Sequence, residues 1–148
     1  VLRYANVYGP RQDPHGEAGV VAIFCNRMLA NESIRIFARR TVGDPGCVRD
    51  YVFIDDVVKA NIAALEGRIP DRILNVGTGR ESTTQQVAES IQLSLGSRSE
   101  ILFGDCRAGD VERSLLDANR LVELLGPAVP VEDGLARTAQ WFRARLSN

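Results

Sequence analysis

Lysine and histidine are nearly absent from this chain of 148 residues. All of its 18 basic residues except Lys59 are arginine, and His15 is the only histidine. A histidine with no second ligand at metal-binding spacing predicts no metal site in the protein. The arginines favour flat, two-pronged sites for anions, because guanidinium donates two parallel hydrogen bonds. A general bias of the gene toward arginine codons explains the same count.

Cysteines are also few, and long apolar runs are missing. Cys25, Cys47 and Cys106 form no C-x-x-C pair, so neither a disulfide framework nor a zinc knuckle is predicted, and a reducing cytoplasm is the expected location. No apolar run approaches the roughly 20 residues of a membrane span. A net charge of −1 gives non-specific nucleic-acid binding no electrostatic support. The composition therefore predicts neither a membrane nor a nucleic acid as a partner.

Buried strands and amphipathic helices alternate along the chain, which predicts an α/β fold with parallel strand pairing. Strands are predicted over 1–7, 33–37, 50–54, 72–76 and 100–103. Helices are predicted over 20–30 and 132–146 and after N-caps at Asp55, Thr83 and Asp117. The helix after Asp55 is expected to bury Val58, Ile62 and Leu65. Because no linker divides the chain, residues 1–148 are expected to form a single domain.

The segment Gly77-Thr78-Gly79 follows a strand and precedes a helix, as the phosphate-binding turn of a dinucleotide-binding fold does. That motif requires a third glycine at position 82, where this chain has Ser82. We interpret the segment as a plain strand-to-helix turn, with cofactor binding as the alternative.

Seven motifs occur in a characteristic order. They are RYANVYGPRQ (3–12), GEAGVVAIF (16–24), IRIF (34–37), VRDYVFIDDVVKA (48–60), ILNVGTG (73–79), CRAGDVERSLLD (106–117) and EDGLARTAQWF (132–142). Together they resemble the C-terminal half of the extended short-chain dehydrogenase/reductases. The resemblance is strongest to the NAD-dependent epimerase/dehydratase family and its UDP-glucose 4-epimerase group, and it covers essentially the whole chain. It implies the C-terminal, substrate-binding part of that fold, with a few strands that belong to a Rossmann sheet.

The resemblance also implies an N-terminal half with a glycine-rich NAD loop and a catalytic Y-x-x-x-K, in which the tyrosine acts as base. A motif of this kind ending at Lys59 needs a tyrosine at position 55, which is Asp55, and no glycine-rich loop of the required form is present. We therefore expect the N-terminal NAD-binding domain to lie before residue 1. NAD is then the cofactor of the complete enzyme, and this chain alone is expected to bind none and to be inactive.

The resemblance further implies a set of contacts to a UDP-sugar. Asn6 and Arg49 match positions at the diphosphate, with Tyr51 close to Arg49, and Val20 matches a position of backbone contact. Arg35 and Phe37 match positions around the uracil. Arg107 and Asp110 match positions at the phosphate and ribose, and Tyr4 and Ala5 lie at the nicotinamide end of the cofactor. No catalytic residue is expected among them.

Each of these positions has a simpler interpretation. Phe37 and Tyr51 fit core packing on short strands. Arg49 fits a surface ion pair with Asp50, and Arg107 a solvated loop residue. Asn6 fits a hydrogen bond to the turn at Gly9-Pro10.

Two other functions are compatible with the same residues. The first is the corresponding part of a nucleotide-sugar dehydratase or decarboxylase. The second is a stand-alone, non-catalytic module that self-associates, since strands removed from a larger sheet expose unpaired edges. The expected partners are accordingly a UDP-sugar, and either an N-terminal Rossmann half or a second copy that covers those strands.

Overall fold

Strands and helices alternate in the computed structural model, which describes residues 1–14 and 19–146, as the apolar pattern predicts. The strands are β1 (Leu2–Tyr4), β2 (Asn6–Tyr8), β3 (Ile34–Phe37), β4 (Val48–Arg49), β5 (Tyr51–Phe53), β6 (Leu74–Val76), β7 (Ser82–Thr83), β8 (Ile101–Gly104) and β9 (Arg113–Ser114). The helices are α1 (Val20–Leu29), α2 (Ile54–Leu65), α3 (Thr84–Leu95), α4 (Asn119–Leu125) and α5 (Val131–Leu146). The prediction of a mixed α/β fold is confirmed.

The strands pair mostly in parallel and with partners far away in sequence. β1 pairs with β6, β2 with β5 and β3 with β8, all in parallel. β4 lies between an antiparallel β7 and a parallel β9. The strand predicted over 1–7 is in fact two strands. The backbone N–H of Ala5 still donates to Val76, but that of Asn6 donates to Asp50, so the chain changes partner between these two residues.

The core has two parts. In the larger part, α1, α3 and α5 pack around side chains that include Tyr8, Tyr51 and Phe53. The smaller part lies between β6, α2 and α4. Among the described residues, no helix combines the length and the apolar character that crossing a bilayer requires.

Of the three predicted helix caps, one is present. Thr83 forms the predicted capping box with Gln86. The predicted cap at Asp55 is wrong: α2 begins at Ile54 after Phe53, without a side-chain cap, and Asp55 instead lies 2.5 Å from the Arg137 guanidinium. The predicted cap at Asp117 is wrong as well: the cap position of α4 is Ala118, and Asp117, one residue earlier, accepts a hydrogen bond from the Asn119 N–H at 3.0 Å.

The face that α2 turns to the core also differs from the prediction. The buried residues are Asp56, Val57, Ala60 and Ala63, whereas Val58, Ile62 and Leu65 are exposed by 49%, 46% and 88%. Small alanines let the helix approach the strands closely, and the Asp56 carboxylate accepts a hydrogen bond from the Val129 N–H at 2.9 Å. We call the exposed set Val58, Ile62 and Leu65 the α2 stripe.

Candidate functional site

A buried carboxylate lies at the junction of β4 and β5. Asp50 is only 1% exposed. Its Oδ1 accepts hydrogen bonds from the Thr78 N–H at 2.9 Å and the Thr78 hydroxyl at 2.7 Å. Its Oδ2 accepts from the N–H groups of Gly79 at 3.1 Å and Leu116 at 3.4 Å. Four donors therefore compensate the loss of hydration of this charge.

The Gly77-Thr78-Gly79 segment is an anion-binding turn whose anion belongs to the same chain. A Cβ on Gly77 would lie 2.5 Å from the Asp50 Oδ2, so only glycine permits this close approach. The amides of Thr78 and Gly79 point at Asp50 and are not free for a cofactor phosphate. Their use by Asp50 supports the strand-to-helix turn as the correct interpretation of the segment.

Asn6 is hydrogen-bonded to Asp50, and Arg49 precedes Asp50 in the chain. The Asn6 N–H and side-chain amide donate to the Asp50 carbonyl at 2.9 and 3.1 Å, so Asn6 does not satisfy the Gly9-Pro10 turn. Arg49 is half-buried and donates to the Val48 carbonyl at 2.9 Å. Because the Asp50 carboxylate is buried and bonded elsewhere, the surface ion pair with Arg49 is excluded. Two predicted diphosphate contacts therefore flank one structural centre.

Phe37 and Arg107 meet at the ends of β3 and β8. The strand register places Phe37 opposite Gly104, three residues before Arg107. The Arg107 guanidinium carbon lies 4.7 Å from the centroid of the half-buried Phe37 ring, a cation–π distance. Two side chains predicted for the base and the phosphate are thus brought into contact.

The long loop after β3 is built around Asp44. Its carboxylate accepts hydrogen bonds from four backbone N–H groups, those of Arg39, Arg40, Thr41 and Gly46. Desolvation acts to raise the pKa of Asp44, but the four bonds outweigh it and hold the pKa well below its usual range. Arg40 reaches the Glu112 carboxylate at 2.7 Å. The loop beside Phe37 is thus fixed to the segment that follows Arg107.

The other predicted substrate residues have varied surroundings. Arg35 is exposed, and its Cδ would lie 2.9 Å from a Cβ at Gly104. Asp110 is exposed and its N–H donates to the Arg107 carbonyl at 3.2 Å. Val20 is half-buried at the start of α1 and packs on the core.

Tyr51 and the two predicted cofactor residues make contacts within the chain. Tyr51 is 5% exposed and lies in the core, edge-on to Tyr8. Burial raises its pKa to about 12, which opposes ionisation of its phenol near neutral pH. The Tyr4 hydroxyl donates to Asn61 at 3.0 Å, beside the α2 stripe, and Ala5 is half-buried.

Sequence reasoning missed Asp50 and Thr78. The signal for Asp50 is an acidic residue directly before the apolar strand Tyr51–Phe53. The signal for Thr78 is a pair of turn glycines without a third glycine at position 82. Neither signal identifies the other residue, because 28 positions separate them.

Comparison with known proteins identifies the family. Residues 1–77 match the NAD dependent epimerase/dehydratase family. The chain belongs to this family. It is 47% identical over 141 residues to the UDP-glucose 4-epimerase of Mycolicibacterium smegmatis, covering 94% of this chain and 44% of that protein. The resemblance that the seven motifs indicate is confirmed.

Two solved epimerase structures extend the likeness to the backbone. The UDP-glucose 4-epimerase of Thermus thermophilus in complex with NAD superimposes with a TM-score of 0.87 at 45% identity, over 96% of this chain and 45% of that one. The UDP-glucose 4-epimerase of Thermotoga maritima with UDP-glucose superimposes with a TM-score of 0.85 at 49% identity, over 98% of this chain and 46% of that one. The chain therefore spans about 45% of the length of the relatives it matches.

NAD is the family's cofactor, and two groups that sequence analysis considered for it are bonded within the chain. The turn amides at Thr78 and Gly79 bind the Asp50 carboxylate, and the Tyr4 hydroxyl is bonded to Asn61. No step that passes through NAD follows from these residues.

Proposed function

We propose that residues 1–148 form the nucleotide-sugar-binding, C-terminal part of an NAD-dependent UDP-sugar epimerase, inactive without a Rossmann half. The observation that carries this proposal is the arrangement around Asp50, where Asn6 and Arg49 flank one fixed centre. The contact between Phe37 and Arg107 adds a second group, with an aromatic face and a guanidinium. A nucleoside diphosphate requires both kinds of group.

Epimerisation is favoured over dehydration or decarboxylation by the 47% and 49% identities to UDP-glucose 4-epimerases. No described residue favours the other two reactions. The three free cysteines, of which Cys25 and Cys47 are buried, fit the cytoplasm as the place of action.

Titration calorimetry with UDP and UDP-glucose tests the substrate-binding part of the proposal. We expect saturable binding of both ligands, and undetectable binding at millimolar ligand contradicts the proposal. An assay with added NAD⁺ and UDP-galactose tests the inactivity, because rapid epimerisation by residues 1–148 alone contradicts it.

The α2 stripe supports an interface with an N-terminal half. Val58, Ile62 and Leu65 lie on one side of α2, next to the Tyr4–Asn61 hydrogen bond at the end of β1. Among the described strands, β1 pairs only with β6, which leaves its other edge unpaired. An exposed apolar stripe beside an open strand edge is typical of a surface that another segment covers.

Residues 1–148 produced alone are expected to self-associate through this surface. Sedimentation velocity should show a sedimentation coefficient that rises with protein concentration. Ile62→Lys should lower the coefficient at the same concentration, because burying the lysine charge in the interface is unfavourable. Leu93→Lys is the matched control, since Leu93 is 85% exposed on α3 and outside the stripe. A monomer at all concentrations contradicts the prediction, as does an equal effect of both substitutions.

A further inference from the structure

We propose that Asp50 is a positioning residue for nucleotide binding: its carboxylate fixes the backbone between β4 and β5, which carries Arg49 and whose carbonyl at Asp50 holds Asn6, the two side chains proposed for the diphosphate. The inference rests on the proposed function, and it assigns the role to a side chain whose hydrogen bonds go to groups of this chain. Asp50 lies between Arg49 and Tyr51, where the chain passes from β4 to β5.

The first argument is the cost of burying this charge. Asp50 is 1% exposed, and in the described part of the chain no basic side chain forms an ion pair with it. All of its compensation comes from the N–H groups of Thr78, Gly79 and Leu116 and from one hydroxyl. A buried carboxylate without an ion pair costs free energy that packing alone does not require. We therefore attribute to Asp50 the role of fixing the backbone around it.

The second argument is the number of separate segments that Asp50 joins. Its carboxylate holds the turn at 77–79 and the N–H of Leu116, its own N–H donates to the Ser114 carbonyl at 2.9 Å, and its carbonyl accepts from Asn6. These segments are far apart in sequence, and Asp50 is hydrogen-bonded to each of them. A shift of this residue moves Asn6 and Arg49 together.

The third argument is that the surrounding chain is shaped to fit the carboxylate. The Asp50 Oδ2 lies so close to Gly77 that position 77 has no room for a side chain. The Thr78 hydroxyl donates to Asp50 and accepts from the Arg80 N–H at 3.1 Å. The turn is therefore ordered around Asp50 by contacts within the chain, as a preorganised site requires.

The substitution Asp50→Asn, made in the full-length native protein, tests the inference. The variant keeps the shape but turns an NH₂ group toward N–H donors, so the junction must shift. We expect the affinity for UDP to fall on the order of tenfold or more, measured by calorimetry well below the melting temperature. The affinity for uridine, which has no phosphate, should change little, so the UDP-to-uridine affinity ratio is the decisive readout.

Asp55→Asn is the matched control, because Asp55 is an exposed aspartate bound to Arg137. Thr78→Val removes one hydroxyl donor and should lower the same ratio by a smaller factor, and it decides the test if Asp50→Asn does not fold. An unchanged ratio in the folded variants overturns the inference. If the unsubstituted protein binds no UDP, the proposed function fails instead, so the two failures are distinguishable.

Discussion

Gly134→Ala is expected to destabilise the protein by about 2 kcal/mol, although alanine is the better helix former by about 1 kcal/mol. Gly134 lies in the first turn of α5, where a Cβ would overlap the Tyr8 hydroxyl and lie 2.9 Å from its Cζ. The Tyr8 ring cannot move aside easily. Its hydroxyl donates to the Val131 carbonyl at 3.1 Å, and its ring packs 5.6 Å from that of Phe53.

Chemical denaturation of the single and double variants measures this effect. Gln140→Ala, at an exposed position of the same helix, should change the free energy of unfolding by less than about 0.5 kcal/mol. Tyr8→Phe removes the overlapping oxygen, so Gly134→Ala should cost less in that background. A stability gain from Gly134→Ala, as helix propensity alone predicts, contradicts the packing described here.

Arg49→Ala is expected to weaken UDP binding by about 10- to 100-fold, the range for losing a charge-assisted hydrogen bond to phosphate. Arg49 is half-buried, and its guanidinium donates a hydrogen bond to the Val48 carbonyl, which limits the positions that the guanidinium can adopt. Arg49→Lys should recover only part of the affinity, because an ammonium cannot donate two parallel hydrogen bonds.

Titration of each variant with UDP checks this prediction, and thermal melts establish that the variants are folded. Arg68→Ala is the control, since Arg68 is an exposed arginine paired with Glu66 at 2.7 Å, and surface pairs of this kind contribute little. Equal UDP affinity in Arg49→Ala and the unsubstituted protein would remove Arg49 from the proposed site.

The order of the elements and the family could be predicted from the sequence. Helical periods and capping signals are local, so α1, α3 and α5 lie close to where they were predicted, and the capping box at Thr83 is present. The family follows from seven ordered motifs, a property of the whole chain that needs no distances.

The α2 face could not be predicted correctly. Apolar residues occur on both sides of this helix, and the larger ones, Val58, Ile62 and Leu65, suggested the buried side. In the structure the close approach to the strands selects the alanines. That choice depends on the space between elements, which a hydrophobic pattern does not contain.

The sequence by itself determined the alternation of strands and helices and the family, and it supplied the set of side chains that we propose for a nucleotide-sugar. Only the tertiary structure decided that Gly77-Thr78-Gly79 binds the chain's own Asp50, that Tyr51 belongs to the core, and that Phe37 meets Arg107. The physical reason is the sequence distance over which each interaction acts. Capping and periodicity act over a few residues, whereas a buried charge finds its donors wherever the fold brings them, here 28 and 66 positions away.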